Sequence, residues 1–362
     1  MRRFLISMTK QISKRHGLWR SSNHKCLKQS SESSAGSRVK MSLSAGAIAG
    51  YSILGAFVGY VVTSVIFLKC PGILHKKKKR DFVCAHISHR GGAAERIENT
   101  LTAYHHAVEM GTQMLEIDVH FSKDKKVVVS HDEDLQRVAG SEQRICDCDY
   151  EDLPLLKDEI NVTFYGGVTC QNKGNQEKMP TLEQVFLEFP NIPINVDVKG
   201  ESEGLCEAVH SLIKQFKREK ITVWGNFRST TTEKLYKLDS EIPIFFSMRR
   251  VAFLYLWFYT GLLPFIPLKE THLEIILPDV FNRVEFSFSR GQRIILSVLG
   301  FLVRSKVLFD HLKGRGIPTY LWVLNEEEDF KTAFELGVEG VMTDCPTKLT
   351  KWLNENPQYW KR

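Results

Sequence analysis

Past Arg80 the chain alternates short apolar runs with amphipathic segments, and that rhythm constrains its fold more than any other feature. Strand-like runs stand at 85–88, 114–121, 194–199, 221–225, 244–248, 273–277, 319–325 and 340–344. Helical spacing of apolar residues marks 98–110, 181–189, 204–218, 230–238, 307–313, 326–336 and 347–354. Strands joined through helices pair in parallel, and eight such units predict an α/β fold of the TIM (β/α)8 barrel type over 84–356. One connection breaks the pattern. Ser122-Lys123-Asp124-Lys125-Lys126 is too short for a parallel return. Residues 127–130 are therefore expected to fold back as a hairpin insertion after strand two, carrying His131 over the sheet.

Ahead of the barrel, residues 43–68 carry no charge. As a helix they exceed the ~30 Å hydrocarbon core, which predicts an N-terminal transmembrane helix. Gly46, Gly50, Gly55 and Gly59 would weaken a soluble helix but are tolerated in a membrane. Lys69 ends the run, and Lys76-Lys77-Lys78-Lys79-Arg80 lies in a basic linker over 69–83. Residues 1–42 read as a basic leader or an optional extension. Positions 1–40 hold ten Lys or Arg against the single acid Glu32, and Met41 could itself start a chain. Both flanks of the span are basic, so the positive-inside rule has little asymmetry to read. The formal charge of +7 belongs largely to the leader. No basic stripe interleaved with aromatics appears, so no nucleic-acid partner is expected, and no protein partner is predicted. Eight cysteines without a CxxC pair read as reduced thiols. The alternative is a bridge from Cys170 to Cys146 or Cys148 in an oxidising compartment.

A second uncharged run, 251–268, is expected to be an apolar, membrane-contacting insert after strand five. A crossing there would put strands one to five and six to eight on opposite sides of the bilayer. Pro264 and Pro267 would also break a spanning helix. The expectation is an interfacial or re-entrant hairpin on the active-site rim, which 294–303 could join.

Chemistry-bearing residues gather at predicted strand ends, where TIM barrels keep their active sites. His89 and Arg90 follow the first strand, and Glu116 and Asp118 lie on the second. Asp197 and Lys199 end the third, Trp322 and Asn325 lie on the seventh, and Asp344 ends the eighth. Glu116 and Asp118 share one strand face, and so close a pair repels unless a cation sits between them. Oxygen donors favour one divalent cation, Mg2+ or Ca2+, with Asp197 as the third ligand. His89 and His131 suit general base and general acid, and His131 is alternatively a metal ligand. Arg90 and Lys199 would hold phosphate oxygens. Gly91-Gly92 would let backbone approach a ligand closely, and Trp322 could stack on a quaternary ammonium. Together these residues describe a metal-dependent phosphodiesterase.

The order of these motifs resembles the glycerophosphodiester phosphodiesterase family from His86 to Pro346. The motifs stand as His89-Arg90-Gly91, Glu98-Asn99-Thr100, Glu116-Ile117-Asp118, His131-Asp132, Asp197-Val198-Lys199, Trp322-Val323-Leu324-Asn325 and Thr343-Asp344-Cys345-Pro346. The span and the apolar insert make the chain most similar to the membrane-bound lysophospholipase D branch. The resemblance implies that the family histidines fall on His89 and His131, and metal ligation on Glu116, Asp118 and the third acidic position. Three positions depart from the pattern. Asp197 replaces the commoner Glu, Ile97 stands where many members have Pro, and Val323-Leu324 removes the Thr usual after Trp322.

The activity so implied is hydrolysis of lysophosphatidylcholine, lysophosphatidylethanolamine or their N-acyl relatives to lysophosphatidic acid and a headgroup alcohol. Attack by the substrate's own sn-2 hydroxyl would explain a preference for single-chain lipids. One alternative is an enzyme of water-soluble deacylated diesters with the span as tether. Another is an inactive membrane scaffold. The expected location is the endoplasmic reticulum or perinuclear membrane, with mitochondria as the alternative carried by the basic leader. Asn161-Val162-Thr163 is a glycosylation sequon, usable only if the barrel is luminal.

Overall fold

The computed structural model describes residues 44–360, apart from 173, 175, 201, 279 and 281–288. The leader 1–42 therefore lies outside the described residues. Helix α1 (Ala45–Lys69) is 25 residues long and exposes most of its apolar side chains. At 1.5 Å per residue it measures about 37 Å, enough to cross a hydrocarbon core.

The barrel starts at β1 (His86–Ser88) and continues through α2 (Leu101–Glu109), β2 (Met114–Phe121) and β3 (Val127–Val129). A small hairpin follows, β4 (Glu159–Asn161) with β5 (Thr169–Gln171). Next come α3 (Leu182–Glu188), β6 (Ile194–Val198), α4 (Leu205–Gln215), β7 (Thr222–Gly225), α5 (Ser229–Leu238) and α6 (Met248–Tyr259). The chain then forms β8 (Leu273–Ile276), α7 (Arg290–Val303), α8 (Lys306–Gly314) and β9 (Thr319–Trp322). It ends with α9 (Glu327–Glu335), β10 (Gly340–Thr343) and α10 (Pro346–Glu355).

Pairing runs β7-β6-β2-β1-β10-β9-β8. Two parallel bridges fill the gap between β7 and β8, Trp224 with Ile244 and Phe245 with His272, and so close the barrel. The sequence predicts a full strand over 244–248. Only the bridges form, because Ser247 is already the N-cap residue of α6. β3 pairs antiparallel with β2, Val119 opposite Val129, as the short turn requires.

Side-chain parity decides what each strand contributes. Leu115, Ile117 and Val119 of β2 pack outward with Tyr104 of α2, Val185 of α3 and Val209 of α4. Met114, Glu116 and Asp118 alternate with them. Met114 joins Ile87, Val223, Phe245, Tyr320 and Met342 in an apolar floor inside the barrel. Glu274 of β8 accepts a hydrogen bond from Asn195 of β6 at 2.8 Å. Burial pushes its carboxyl from the ordinary 4.5 up to about 8, and the charge of Asp197 adds to the effect.

The apolar segment 251–268 forms α6 and the single turn Leu263–Phe265, not a hairpin on the rim. It is part of the fifth crossover, which must return the chain to the start of β8. Its tip accordingly lies at the far end of the barrel, where Arg315 donates to the Ile266 carbonyl at 3.0 Å. Tyr60 and Ser64 of α1 donate to the Thr260 and Gly261 carbonyls at 2.5 and 2.7 Å. Phe265 packs against Tyr60 and Phe67. Gly261 has φ +76°, and a Cβ there would lie 2.9 Å from the Ser64 hydroxyl. The extra helix α7 precedes the crossover helix α8, where the sequence marked only an apolar stretch. Among the described residues the cysteines form no disulfide.

Glu274 gives the fold a pH signature. The folded protein holds a proton that the unfolded chain releases, so this group's contribution to stability declines as pH rises from about 4.5 to about 8. Glu274→Gln keeps the acceptor for Asn195 and removes the titration. Thermal unfolding in detergent should therefore show a gain for the variant that is absent near pH 4.5. The gain should grow to a few kcal/mol by pH 8.5, at about 1.4 kcal/mol per unit of displaced pKa. Parallel pH profiles of the two proteins would refute a buried, protonated Glu274.

Candidate active site

The His89–Gly92 turn sets the site. Arg90 has φ 51°, and Gly91 and Gly92 follow at 81° and 96°, three left-handed residues in a row. The two glycines serve protein packing. A Cβ on Gly91 would lie 2.7 Å from the Tyr104 ring, and one on Gly92 2.6 Å from Pro346. The close approach expected toward a ligand is thus an approach to α2 and the start of α10. The turn swings Arg90 inward, where it is buried and surrounded by acceptors. Its backbone N–H donates to Glu116 Oε2 at 2.9 Å, and Nη1 to Glu98 Oε1 at 3.0 Å and to Thr163 Oγ1 at 3.3 Å. Its Nε lies 3.5 Å from Asp118 Oδ2.

Helix α2 starts three residues later than the sequence suggests, because the Thr100 hydroxyl caps it by accepting from the Ala103 N–H. Glu98 and Asn99 are thereby released into the site. Asn99, at φ 57°, donates to Asp118 at 3.3 Å and accepts from the Tyr104 hydroxyl at 2.8 Å.

Asp118 and Asp197 are direct neighbours in the β2–β6 register, and Glu116 stands opposite Asn195. The Lys199 ammonium sits between the two aspartates, 3.1 Å from Asp118 and 2.6 Å from Asp197. The sequence assigned that ammonium to phosphate; the structure pairs it with carboxylates. Asn226 donates to Asp197 at 3.3 Å. Burial and the neighbouring Asp118 hold the Glu116 carboxyl well above its usual range. Burial would raise Asp118 too, but Lys199, His131 and Arg90 outweigh it and keep that group ionised. Among the described residues, no three metal-ligating side chains already converge on one point. The donor chemistry nevertheless fits a hard divalent cation. It consists of carboxylate oxygens crowded enough to raise Glu116, with a cationic ammonium already seated between two of them.

Each histidine is held by a carboxylate through Nδ1. His89 Nδ1 donates to Asp344 Oδ1 at 2.6 Å, while its Nε2 lies 4.0 Å from Glu116. Asn325 donates to the other Asp344 oxygen at 3.0 Å and accepts the Asp344 N–H at 2.8 Å. His131 Nδ1 donates to Asp132 Oδ1 at 2.7 Å, and its carbonyl faces His120 Nε2 at 3.1 Å. Burial, then the charge of Arg90, lowers the His131 pKa, while Asp118 and Asp132 oppose the shift. These contacts leave Nε2 as the working nitrogen of both rings.

The structure brings His89, Arg90, Glu116, Asp118, Asp197 and Lys199 together as the sequence reading placed them, with His131 beside them. It adds groups which that reading missed. Arg137, on the short helix Gln136–Ala139, donates through Nε to Asp132 at 2.5 Å and through Nη1 and Nη2 to Glu98 at 2.8 and 2.7 Å. It ties the His131 arm to the acid that holds Arg90. Phe164, in the β4–β5 loop, lies edge-on to His89 at 5.8 Å and to Trp322 at 5.9 Å, with Arg90 over its ring at 5.9 Å. Trp322 therefore meets an aromatic edge at the place where a quaternary ammonium was expected. A lone arginine on a one-turn helix, or a lone loop phenylalanine, carries no pattern by which it could have been found.

Removing Arg137 leaves the buried Glu98 and the half-buried Asp132 without their bridge. Arg137→Met should lower kcat for a phosphodiester substrate by about 10- to 100-fold with KM little changed, the usual cost of losing an orienting partner. Arg137→Lys should not restore the rate, because an ammonium cannot fork across Asp132 and Glu98. Steady-state kinetics together with thermal unfolding check this. An unchanged kcat would show that Arg137 does not position His131.

The chain is similar to known proteins in both sequence and fold. The profile of the glycerophosphoryl diester phosphodiesterase family matches residues 89–348. The chain is 46% identical over 308 residues to lysophospholipase D GDPD1 of Homo sapiens, covering 84% of this chain and 98% of that one. It is 36% identical to human lysophospholipase D GDPD3, covering 84% and 96%. Among solved structures, the glycerophosphoryl diester phosphodiesterase domain of a Mycobacterium tuberculosis protein superposes with a TM-score of 0.57 at 15% identity, covering 74% of this chain and 99% of that one. An Oleispira antarctica phosphodiesterase, in complex with the product sn-glycerol-3-phosphate, gives 0.52 at 20% identity, covering 75% and 98%. At those identities the structures speak for the shared barrel. With 260 consecutive residues matched and two long relatives above 30% identity, the chain belongs to the glycerophosphoryl diester phosphodiesterase family.

Proposed function

We propose that this chain is a membrane-anchored lysophospholipase D that cleaves the headgroup side of the phosphodiester in single-chain glycerophospholipids. The observation that carries the chemistry is the pair of imidazoles, each locked by a carboxylate, flanking Glu116, Asp118 and Asp197. The names of the GDPD1 and GDPD3 relatives support the substrate class. The length and apolar surface of α1 support a membrane anchor. The endoplasmic reticulum remains the proposed location.

Glu116, Asp118 and Asp197 would hold one divalent cation, Mg2+ or Ca2+, which would supply neutralising charge for the phosphoryl oxygens. The chain's own groups perform the proton transfers. His89, fixed by Asp344, takes the proton of the sn-2 hydroxyl through Nε2 as that oxygen attacks phosphorus. The bond from phosphorus to the headgroup oxygen breaks, and His131 delivers a proton to the departing alkoxide. Asp132 favours the charged imidazole that burial disfavours. Water then opens the cyclic phosphate with the two histidines in exchanged roles. Arg90 orders the acids around the reacting phosphate, and Phe164 and Trp322 wall the side of the site next to His89.

Choline release from lysophosphatidylcholine by full-length protein in detergent tests the reading, under Mg2+, Ca2+ or chelator. Turnover should need the cation and should fall at least 100-fold in His89→Ala. Activity undiminished by that substitution would sink the mechanism. Faster turnover of glycerophosphocholine would favour the deacylated diester as substrate. Blocking the sn-2 oxygen with a methyl group should abolish reaction, and full activity on that analogue would rule out internal attack.

A further inference from the structure

Helix α7 is not needed to close the barrel, since α8 alone returns the chain to β9. It is capped at Ser289 by a capping box with Gln292 and buries Leu296 and Gly300. Its other face carries Ile294, Ile295, Val298 and Phe301, all exposed, with Phe301 81% exposed. Arg290 and Arg293 stand in its first turn. Fourteen residues make about 21 Å of helix, too short to cross a bilayer.

How its end is satisfied is informative. The last carbonyls of a helix have no partner within it, and in water the solvent supplies one. Here the Leu302 carbonyl accepts from the Tyr259 hydroxyl at 2.6 Å and the Val303 carbonyl from the Tyr255 hydroxyl at 3.0 Å. The end of α6 is treated in the same way, with Thr260 and Gly261 accepting from Tyr60 and Ser64 of α1. Tyr60 lies nine residues inside the end of the span, about 13 Å along its axis. Protein hydroxyls on successive helix ends are what a medium without water demands. The same bonds run without a break from the span through α6 to α7.

We propose that α7 is embedded in the membrane that α1 crosses, its face of Ile294, Ile295, Val298 and Phe301 among the acyl chains and Arg290 and Arg293 at headgroup level. The occupant of this face is thus the bilayer, reached by continuity with the span. The inference rests on reading α1 as a span and, for its kinetic arm only, on the lysolipid substrate.

Full-length protein in phosphatidylcholine nanodiscs carrying an acyl-chain diazirine lipid provides the test. Irradiation followed by peptide mapping should place lipid adducts on α1 and on the α7 face. Adducts on α1 with none on α7 would overturn the proposal. An unlabelled α1 would overturn the span and the proposal with it. The variant I294Q/V298Q/F301Q supplies a second readout. Its KM for vesicle-borne lysophosphatidylcholine should rise roughly tenfold, from lost apolar burial. Its turnover of a short-chain, monomeric lysophosphatidylcholine should stay unchanged. Equal loss on both substrates would show that α7 supports the barrel rather than meeting lipid, and would overturn the idea. If no lysolipid is turned over at all, the labelling still decides for or against the bilayer.

Discussion

Charge balance inside the barrel mouth is the constraint on which the site depends. Glu98, Glu116, Asp118, Asp132, Asp197 and Asp344 meet there, against three permanent cations, Arg90, Arg137 and Lys199. Buried charge is tolerable only when compensated. Each of the three cations therefore serves more than one acid, and the site forms a connected network rather than a set of pairs. Burial, then the charge of Asp118, draws a proton to Glu116, and the same crowding of acids suits a doubly charged cation. The same acids orient the two imidazoles, Asp344 holding His89 and Asp132 holding His131, each through Nδ1.

The strained turn at Arg90 is what that network obtains from the backbone. A non-glycine residue at φ 51° costs of order 1 kcal/mol or more, and persists where its surroundings over-determine it. Here the backbone N–H is spent on Glu116 and the guanidinium on Glu98 and Thr163, with Asp118 close by. The floor of Met114, Ile87 and Tyr320 below keeps water out from underneath. Parity along β2 joins the two requirements, since the residues that seal the floor and those that bind the cations alternate with the ones that hold the outer helices.

Periodicity made the barrel legible. Leu115, Ile117 and Val119 alternate with the site residues, and five residues between β2 and β3 forbade a parallel return. The carboxylates were legible because strand parity and the barrel's C-terminal rule together assign them a place. The start of α2 was misread, since Glu98 and Asn99 look helical until Thr100 is seen to cap. That error hid their part in the site. Arg137 and Phe164 lie in the long excursion after β3, where no repeat constrains the chain and contacts are settled by tertiary packing. The segment 251–268 was placed as a membrane-contacting hairpin on the active-site rim because it follows a strand end. Topology overrode that reading, because a parallel barrel needs its fifth crossover and this segment supplies it.

The same topology poses a problem of reach for a lipid enzyme. The end of α1 and the segment after it dock where the barrel strands begin: His311 near the end of α8 faces the Leu68 carbonyl at 2.8 Å, and the Lys78 N–H donates to the Arg315 carbonyl at 2.9 Å. The chemistry sits at the opposite end. Helix α6 bridges the two, with its first residue just past the fifth strand and its last turn against α1, about 18 Å apart over twelve residues. An anchor alone would hold the bilayer at the wrong end of the barrel. A second apolar helix, inserted after β8 and tied by tyrosine hydroxyls to the flank of α6, would on the proposal above extend the lipid-facing surface beyond α1. On this view α1 fixes the enzyme to the membrane, while α7 determines how much of the barrel's flank the membrane covers.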